Sequence, residues 1–485
     1  MAAHVSAVDA FAAGALADGL TDVYLLGMGG SSLSAEVLRD VPLARRRGAT
    51  LTVLDTTDEQ AIGAATARLV AARSLFLVSS KSGSTIEVSS LERHFWSVMS
   101  AAVPERTGRH FVAITDPDTA LAARAARMGY RETFLNPPDI GGRFSALSLF
   151  GLVPAALLGV DLHALLASAA AMADLCRNDG PDNPARALGA FMGKQAMAGR
   201  DKLTLLLPPA LEPLGAWIEQ LVAESTGKHG RGILPVVGEP VGLAAEYGPD
   251  RAFVLVTSSD ANDAAATGDS LEASGHPVFR IATSAADLGA EFFRWEVATA
   301  VAGVELGVNP FDEPNVKDAK QRTQQQIDAF AARGVFHMTP PLEASAGWSR
   351  REHRGTFAPG GRYVAILDYV PADEARAATI DRVRRELRHR TTLATTYGVG
   401  PRYLHSTGQY HKGGPNTGTF ILLTAPAATT TDVPGEPFSF RALKEAQALG
   451  DFEALVAAGR TVIHYHLDDP TNFDAAIDAA VREIR

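Results

Sequence analysis

A chain of 485 residues, 46% hydrophobic and 21% charged, is long enough for two or three domains with cores of their own. Its 45 basic and 55 acidic residues give a formal net charge of -10, which argues against a general nucleic-acid binder but leaves room for a small anion in a locally positive pocket. One cysteine, Cys176, cannot form an internal disulfide, no apolar run approaches the roughly 20 residues of a membrane span, and the first residues lack a secretory pattern, so a reducing cytoplasm fits.

Residues 5–18 read as an Ala-rich helix. Val23-Tyr24-Leu25-Leu26 is a short buried strand, and Gly27-Met28-Gly29-Gly30-Ser31-Ser32 follows it at once. The glycines permit a tight turn and close backbone approach to a ligand, and Ser31 or Ser32 can cap a helix from about Leu33. The spacing departs from a dinucleotide fingerprint, because Ser32 stands at its last glycine position. A strand at 51–54 and a helix at 58–72 come next.

Leu75-Phe76-Leu77-Val78 then leads into Ser79-Ser80-Lys81-Ser82-Gly83-Ser84-Thr85, with a helix from Ile86. Such a turn aims backbone N–H groups and the positive end of a helix dipole at one spot, and its hydroxyls and lysine add donors. A phosphate is the natural guest; the bland alternative is an ordinary Ser-rich loop. Further strands at 111–114 and 132–135 complete the βαβ rhythm of a parallel sheet. Ligands on such sheets sit at the C-terminal strand ends, so the loops after Leu26 and Val78 share an edge.

Gly141-Gly142-Arg143-Phe144-Ser145 opens an apolar helical region to about 158, and Arg143 is placed either to reach an anion or simply to lie on the surface. Residues 161–200 read as a helical bridge between domains, with Cys176 a buried small hydrophobe. A strand at 203–207 and a helix at 211–226 follow, and Gln220 and Glu224 share one face of that helix. Gly227 is a plausible C-cap, and Lys228 stands at i+4 from Glu224. Strands at 253–257 and 276–281, a helix at 260–274 and an apolar helix at 285–306 make a second α/β domain.

After the turn Val308-Asn309-Pro310-Phe311-Asp312-Glu313-Pro314, a helix at 315–333 carries Lys317 and Lys320. From 336 to 361 the pattern fades into an expected loop or linker containing His337, Trp348 and the basic residues of 350–354. The last part is again α/β, with strands at 363–367, 419–423 and 461–465 and helices at 372–389, 440–458 and 473–484. Between them His405, Gln409, His411 and Lys412 crowd one Gly-bounded loop, either a functional cluster or a loop with incidental histidines.

Five segments now stand in order: Gly27-Met28-Gly29-Gly30-Ser31, Ser80-Lys81-Ser82-Gly83-Ser84-Thr85, Gly141-Gly142-Arg143, Gln220…Glu224-Ser225-Thr226-Gly227-Lys228 and Asn309-Pro310-Phe311-Asp312…Lys320. Together they resemble the glucose-6-phosphate isomerase (phosphoglucose isomerase) family. The loop 404–414 and the C-terminal part are most similar to the isomerase half of bifunctional transaldolase/glucose-6-phosphate isomerases. The resemblance implies an α/β fold of two SIS-type domains, 1–195 and 196–335, each a parallel sheet flanked by helices, plus a C-terminal α/β part at 336–485. It also implies a site between the two domains, a homodimer and a functional link to a transaldolase.

The implied reaction is the reversible aldose–ketose isomerisation of glucose 6-phosphate and fructose 6-phosphate, in glycolysis and gluconeogenesis, through a cis-enediol(ate). By the same resemblance Gly30, Ser31, Ser80, Ser82 and Thr85 would hold the phosphate, with Lys81 beside them. Glu224 would be the base, Arg143 the enediolate partner and Gln220 a substrate contact, while Lys320 and a histidine would open the ring. In the family's common pattern that histidine follows Gly-Gln between the matched blocks. Here Gly408-Gln409-Tyr410-His411, with one residue inserted, looks like a relocated equivalent, and His405 is its rival. The family's N-terminal helical extension is largely missing, and Gly83-Ser84 replaces a bulkier pair.

The chemistry explains the residue types. The C2 proton is weakly acidic, so a base must be held beside it and the enediolate oxygen needs a positive partner. A partly dry site raises a glutamate towards neutrality, and arginine stays charged at any working pH. Neither a metal nor a redox cofactor is required, and no His/Cys cluster suggests one. Two other readings compete: a non-catalytic sugar-phosphate regulator on the same domains, and an isomerase acting on both glucose and mannose phosphates.

Overall fold

The computed structural model describes residues 1–178, 180, 182–258, 263–314, 316–336, 342–358, 360–371, 373, 375–426 and 429–484. His337 lies outside the described residues, as does the side chain of Lys317. The first sheet is built from β1 (Asp22–Gly27), β2 (Thr50–Leu54), β3 (Ser74–Ser79), β4 (Phe111–Thr115) and β5 (Glu132–Leu135), in the order β2-β1-β3-β4-β5. All its neighbours pair in parallel.

The apolar runs in β1 and β3 reflect burial on both faces. Leu25 and Leu77 point into one core, while Tyr24 and Phe76 point into another with Phe95. Strand order reverses between β1 and β3, which makes their C-terminal ends the crevice where α/β sheets hold ligands. Gly27 pairs with Ser79, so the two expected ligand turns leave the sheet side by side.

The second sheet has β6 (Lys202–Leu206), β7 (Leu234–Val236), β8 (Arg251–Thr257) and β9 (Val278–Ala282), in the parallel order β7-β6-β8-β9. One apolar core runs from Leu25 and Phe150 in the first layer to Trp217 and Trp295 in the second. The expected bridge at 161–200 is two helices, Leu162–Cys176 and Pro184–Met197, the second capped by Asn183. Cys176 is only half-buried, because it is the last residue of its helix rather than part of the packed stripe.

The third sheet contains β10 (Glu343–Ala344), β11 (Trp348–His353), β12 (Tyr363–Asp368), β13 (Ala394–Val399), β14 (Gly418–Thr424) and β15 (Thr461–Leu467), in the order β10-β11-β15-β14-β12-β13. The expected linker thus contains a strand: β11 lies antiparallel on β15, with Arg350 opposite Tyr465. Its charged residues hid the pattern, yet they find contacts in place. Arg350 pairs with Glu483, and Arg351 lies over the Phe452 ring. Helix Phe440–Ala457 joins the layers, since Phe440 and Leu443 enter the core around Tyr24 and Phe76 while Phe452 and Leu455 enter the core under β12 and β14. Among the described residues no helix is long and apolar enough to cross a membrane.

Candidate active site

The turn after β1 is a short 3-10 segment, Gly29–Ser31, before helix Leu33–Asp40. It is pressed against the Gly-Gly-Arg turn: a Cβ on Gly30 would lie 2.0 Å from the Gly142 carbonyl oxygen, so only glycine fits. Ser32 does not cap the helix through its side chain. Its hydroxyl donates back to the Gly29 carbonyl at 3.1 Å and to Asp55 at 3.4 Å. Ser79 Oγ donates to the Ser31 carbonyl at 2.9 Å and ties the two expected ligand turns together.

In the second turn Ser80 Oγ and Thr85 Oγ1 lie 3.1 Å apart, just before helix Ile86–Ala102. Ser82 and Ser84 bond to each other at the exposed rim. Lys81 is turned aside, forming an ion pair with Asp116 and donating to the Pro138 carbonyl at 3.0 Å.

Helix Leu214–Thr226 carries the second set of groups. Gln220 is 3% exposed and Glu224 9%. Gln220 Nε2 donates to Glu224 Oε2 at 3.1 Å, while Gln220 Oε1 has no partner among the described residues. Arg143, 5% exposed, reaches the same place: Nη1 is 3.4 Å from Glu224 Oε1 and 2.9 Å from Glu313 Oε2. Its Nε donates to Ser225 Oγ at 2.7 Å, and Nη2 donates to the carbonyls of Pro310 and Asp312. Burial pushes the Glu224 carboxyl above its ordinary 4.5, Arg143 pulls it back, and Glu313 adds to the rise. Lys228 does not pair with Glu224, because it donates to Asp312 Oδ1 at 2.6 Å across the Asn309–Asp312 turn.

The C-terminal part supplies the third wall. Gln220 Nε2 also donates to the His405 carbonyl at 2.7 Å. His405 Nε2 lies 2.9 Å from Glu87 Oε1, and Gln447 Nε2 donates to the same oxygen at 2.7 Å. Burial works to raise the Glu87 carboxyl, but the charge and hydrogen bond of His405 outweigh it and hold it below its ordinary range. Gln409 Nε2 donates to the Gly227 carbonyl at 2.9 Å and pins the loop to the end of helix Leu214–Thr226. A cavity of about 210 Å³ opens here, lined among others by Thr85, Glu87, Lys320, Thr323, His405 and Lys412.

The structure therefore brings Thr85, Lys320 and His405 to one cavity, and gathers Gln220 and Arg143 around the Glu224 carboxylate, with the Gln220 carboxamide also holding the His405 carbonyl. His411 is not among them. It is 2% exposed, and its ring sits 5.0 Å from the Phe420 ring and 6.2 Å from those of Tyr363 and Tyr403. Neither ring nitrogen has a hydrogen-bond partner among the described residues, and burial holds the imidazole well below its ordinary pKa. Sequence reasoning missed Glu87, Thr323 and Gln447 as lining groups. Glu87 sits two residues after Thr85, in the first turn of a helix, where an acid is already expected for the dipole.

The phosphoglucose isomerase family model matches residues 3–232. The glucose-6-phosphate isomerase of Rubrobacter xylanophilus is 31% identical over 369 residues, covering 64% of this chain and 83% of that protein. The enzyme of Heliobacterium modesticaldum is 32% identical over 292 residues, covering 50% of this chain and 64% of that one. Among solved structures, a hypothetical protein of Thermus thermophilus superposes with a TM-score of 0.61 at 25% identity, over 66% of this chain and 86% of that one. A glucose-6-phosphate isomerase of Chlamydia trachomatis shares the fold with a TM-score of 0.56 at 20% identity, over 68% of this chain and 75% of that one. The family match over both ligand turns, Arg143 and Gln220–Glu224, with a relative spanned over most of its length, shows that the chain belongs to the glucose-6-phosphate isomerase family of aldose–ketose isomerases.

Proposed function

We propose that the chain interconverts glucose 6-phosphate and fructose 6-phosphate, with Glu224 carrying the proton between C1 and C2. The observation that carries this reading is a buried carboxylate held by Gln220 and facing the Arg143 guanidinium at 3.4 Å. Burial keeps Glu224 a stronger base than a solvated glutamate, and Arg143 stands ready for the developing enediolate oxygen. The unpartnered Oε1 of Gln220 suits a substrate hydroxyl.

The phosphate belongs at the paired turns after β1 and β3, with Gly30, Ser31, Ser80, Ser82 and Thr85 as donors and Lys81 as an outer charge. For ring opening we place His405, beside Lys320 on the cavity wall, in the role first given to His411. The Glu87 carboxylate orients the His405 ring, whereas His411 packs among aromatic rings, near the cations Lys412 and Arg460, in a buried, neutral-favouring site. Homodimer formation and a link to a transaldolase remain part of this reading, and sedimentation velocity tests the first.

A coupled assay of fructose 6-phosphate conversion, run beside mannose 6-phosphate, tests the whole. Glu224→Gln should keep sugar-phosphate binding and lose about 10²–10⁴-fold in kcat. Near-normal turnover in that variant removes Glu224 as the base, and binding without turnover in the wild type favours the regulator reading.

A further inference from the structure

Arg143 makes five polar contacts among the described residues, and three of them fix its plane. Nε is held by Ser225 at 2.7 Å, and Nη2 by the carbonyls of Pro310 at 2.7 Å and Asp312 at 3.0 Å. Only Nη1 is left for acids, and two compete for it: Glu313 at 2.9 Å and Glu224 at 3.4 Å. The nearer one is not the buried carboxylate. Glu313 stands on the turn between helix Leu288–Leu306 and helix Val316–Arg333, with its side chain 46% exposed against 11% for Glu224.

We infer that Glu313 is a positioning residue for the isomerisation: by sharing the free edge of Arg143 it limits how much of that charge reaches Glu224, and so sets the pH below which turnover fails. The inference rests on the reading of Glu224 as the base. The charged groups facing Glu224 are Arg143 from the Gly-Gly-Arg turn, Glu313 from the 309–314 turn and His405 from the C-terminal loop, with the neutral Gln220 on its own helix. Lys228, near Arg143, is paired with Asp312.

The sign follows from charge. An uncharged side chain at 313 leaves Glu224 as the carboxylate partner of Nη1 and removes a like charge from beside it. Both changes favour ionised Glu224, so the acid limb of the pH profile moves down. The half-exposed position lets the side chain change with little effect on packing.

The test is the pH dependence of kcat/KM for fructose 6-phosphate in the full chain. In Glu313→Gln, which keeps the hydrogen-bonding shape, the acid limb should shift to lower pH by about half a unit or more. In Glu313→Asp, which keeps the charge, the limb should stay near that of the wild type. An unmoved or raised limb in Glu313→Gln overturns the inference. If Glu224→Gln retains turnover, the base assignment has failed and takes this inference with it. An inactive Glu224→Gln together with an unmoved Glu313→Gln limb condemns the role of Glu313 alone.

Discussion

Gln220 has one carboxamide nitrogen and two acceptors for it, Glu224 Oε2 at 3.1 Å and the His405 carbonyl at 2.7 Å. That single group couples the carboxylate of one layer to the histidine loop of another, so their relative placement does not depend on long, loose side chains. The two histidines of the loop then diverge for a physical reason. His405 is hydrogen-bonded to a carboxylate on the cavity wall, and His411 faces rings. We expect His405→Asn to lower kcat with the cyclic substrate, while His411→Phe, which fills an aromatic-lined space, leaves kcat close to wild type. Steady-state assays of the two purified variants check this, and a loss in His411→Phe equal to that in His405→Asn contradicts it.

At the scale of elements, the two turns proposed to hold the phosphate are kept as a pair. Gly27 pairs with Ser79 at the ends of β1 and β3, and the Ser79 hydroxyl bonds to the Ser31 carbonyl. Thr85 then opens a helix whose free N–H groups and dipole favour an anion. Thr85 borders the cavity, but Lys81 is committed to Asp116 and Pro138. Thr85→Val should therefore raise KM for the sugar phosphate several-fold more than Lys81→Ala, whose partly exposed ion pair is worth about 0–1 kcal/mol. Initial-rate kinetics in low salt measure the difference, and a larger KM effect at Lys81 rejects the assignment.

The whole molecule is held by contacts between parts far apart in sequence. Helix Phe440–Ala457 feeds apolar groups into two cores, and its Lys444 bonds to Asp58 Oδ2 at 2.8 Å in a buried pair. Beside that pair Glu59 is 1% exposed, and burial pushes its carboxyl up to about 7 against the pull of Lys444. Glu219, in the junction beside the His405 loop, is likewise pushed up by burial to about 7, with Ser406 pulling it back.

A carboxyl whose folded pKa lies above its unfolded 4.5 binds its proton more tightly in the native state. Stability from these groups is thus full below about 4.5 and falls as pH rises to about 7. These two carboxyls pull Tm down over that range, while the buried His411 and His464, held below their ordinary pKa, push it up. The measurement is therefore the difference in thermal melts between the wild type and a Glu59 variant. Glu59→Gln should remove part of the slope, on the order of 1–3 kcal/mol of pH-dependent stability. An unchanged slope in that variant means the Glu59 proton is not linked to folding.

Much of this was written in the chain itself. The continuous apolar runs around Leu25 and Leu77, the Gly-rich and Ser-rich turns, and the i, i+4 spacing of Gln220 and Glu224 are local signals, and each fixes a local geometry. Local rules do not say which charge meets which. Lys228 stands at i+4 from Glu224, but it reaches Asp312, because the 309–314 turn folds over the helix end. The choice between His405 and His411, the role of Glu87 and the strand Trp348–His353 depend on neighbours far away in the sequence, such as Gln447 and β15. Sequence determined which segments could hold a phosphate and present a base. Only the tertiary packing, which decides what is desolvated and what faces it, determined which histidine and which charges share the cavity.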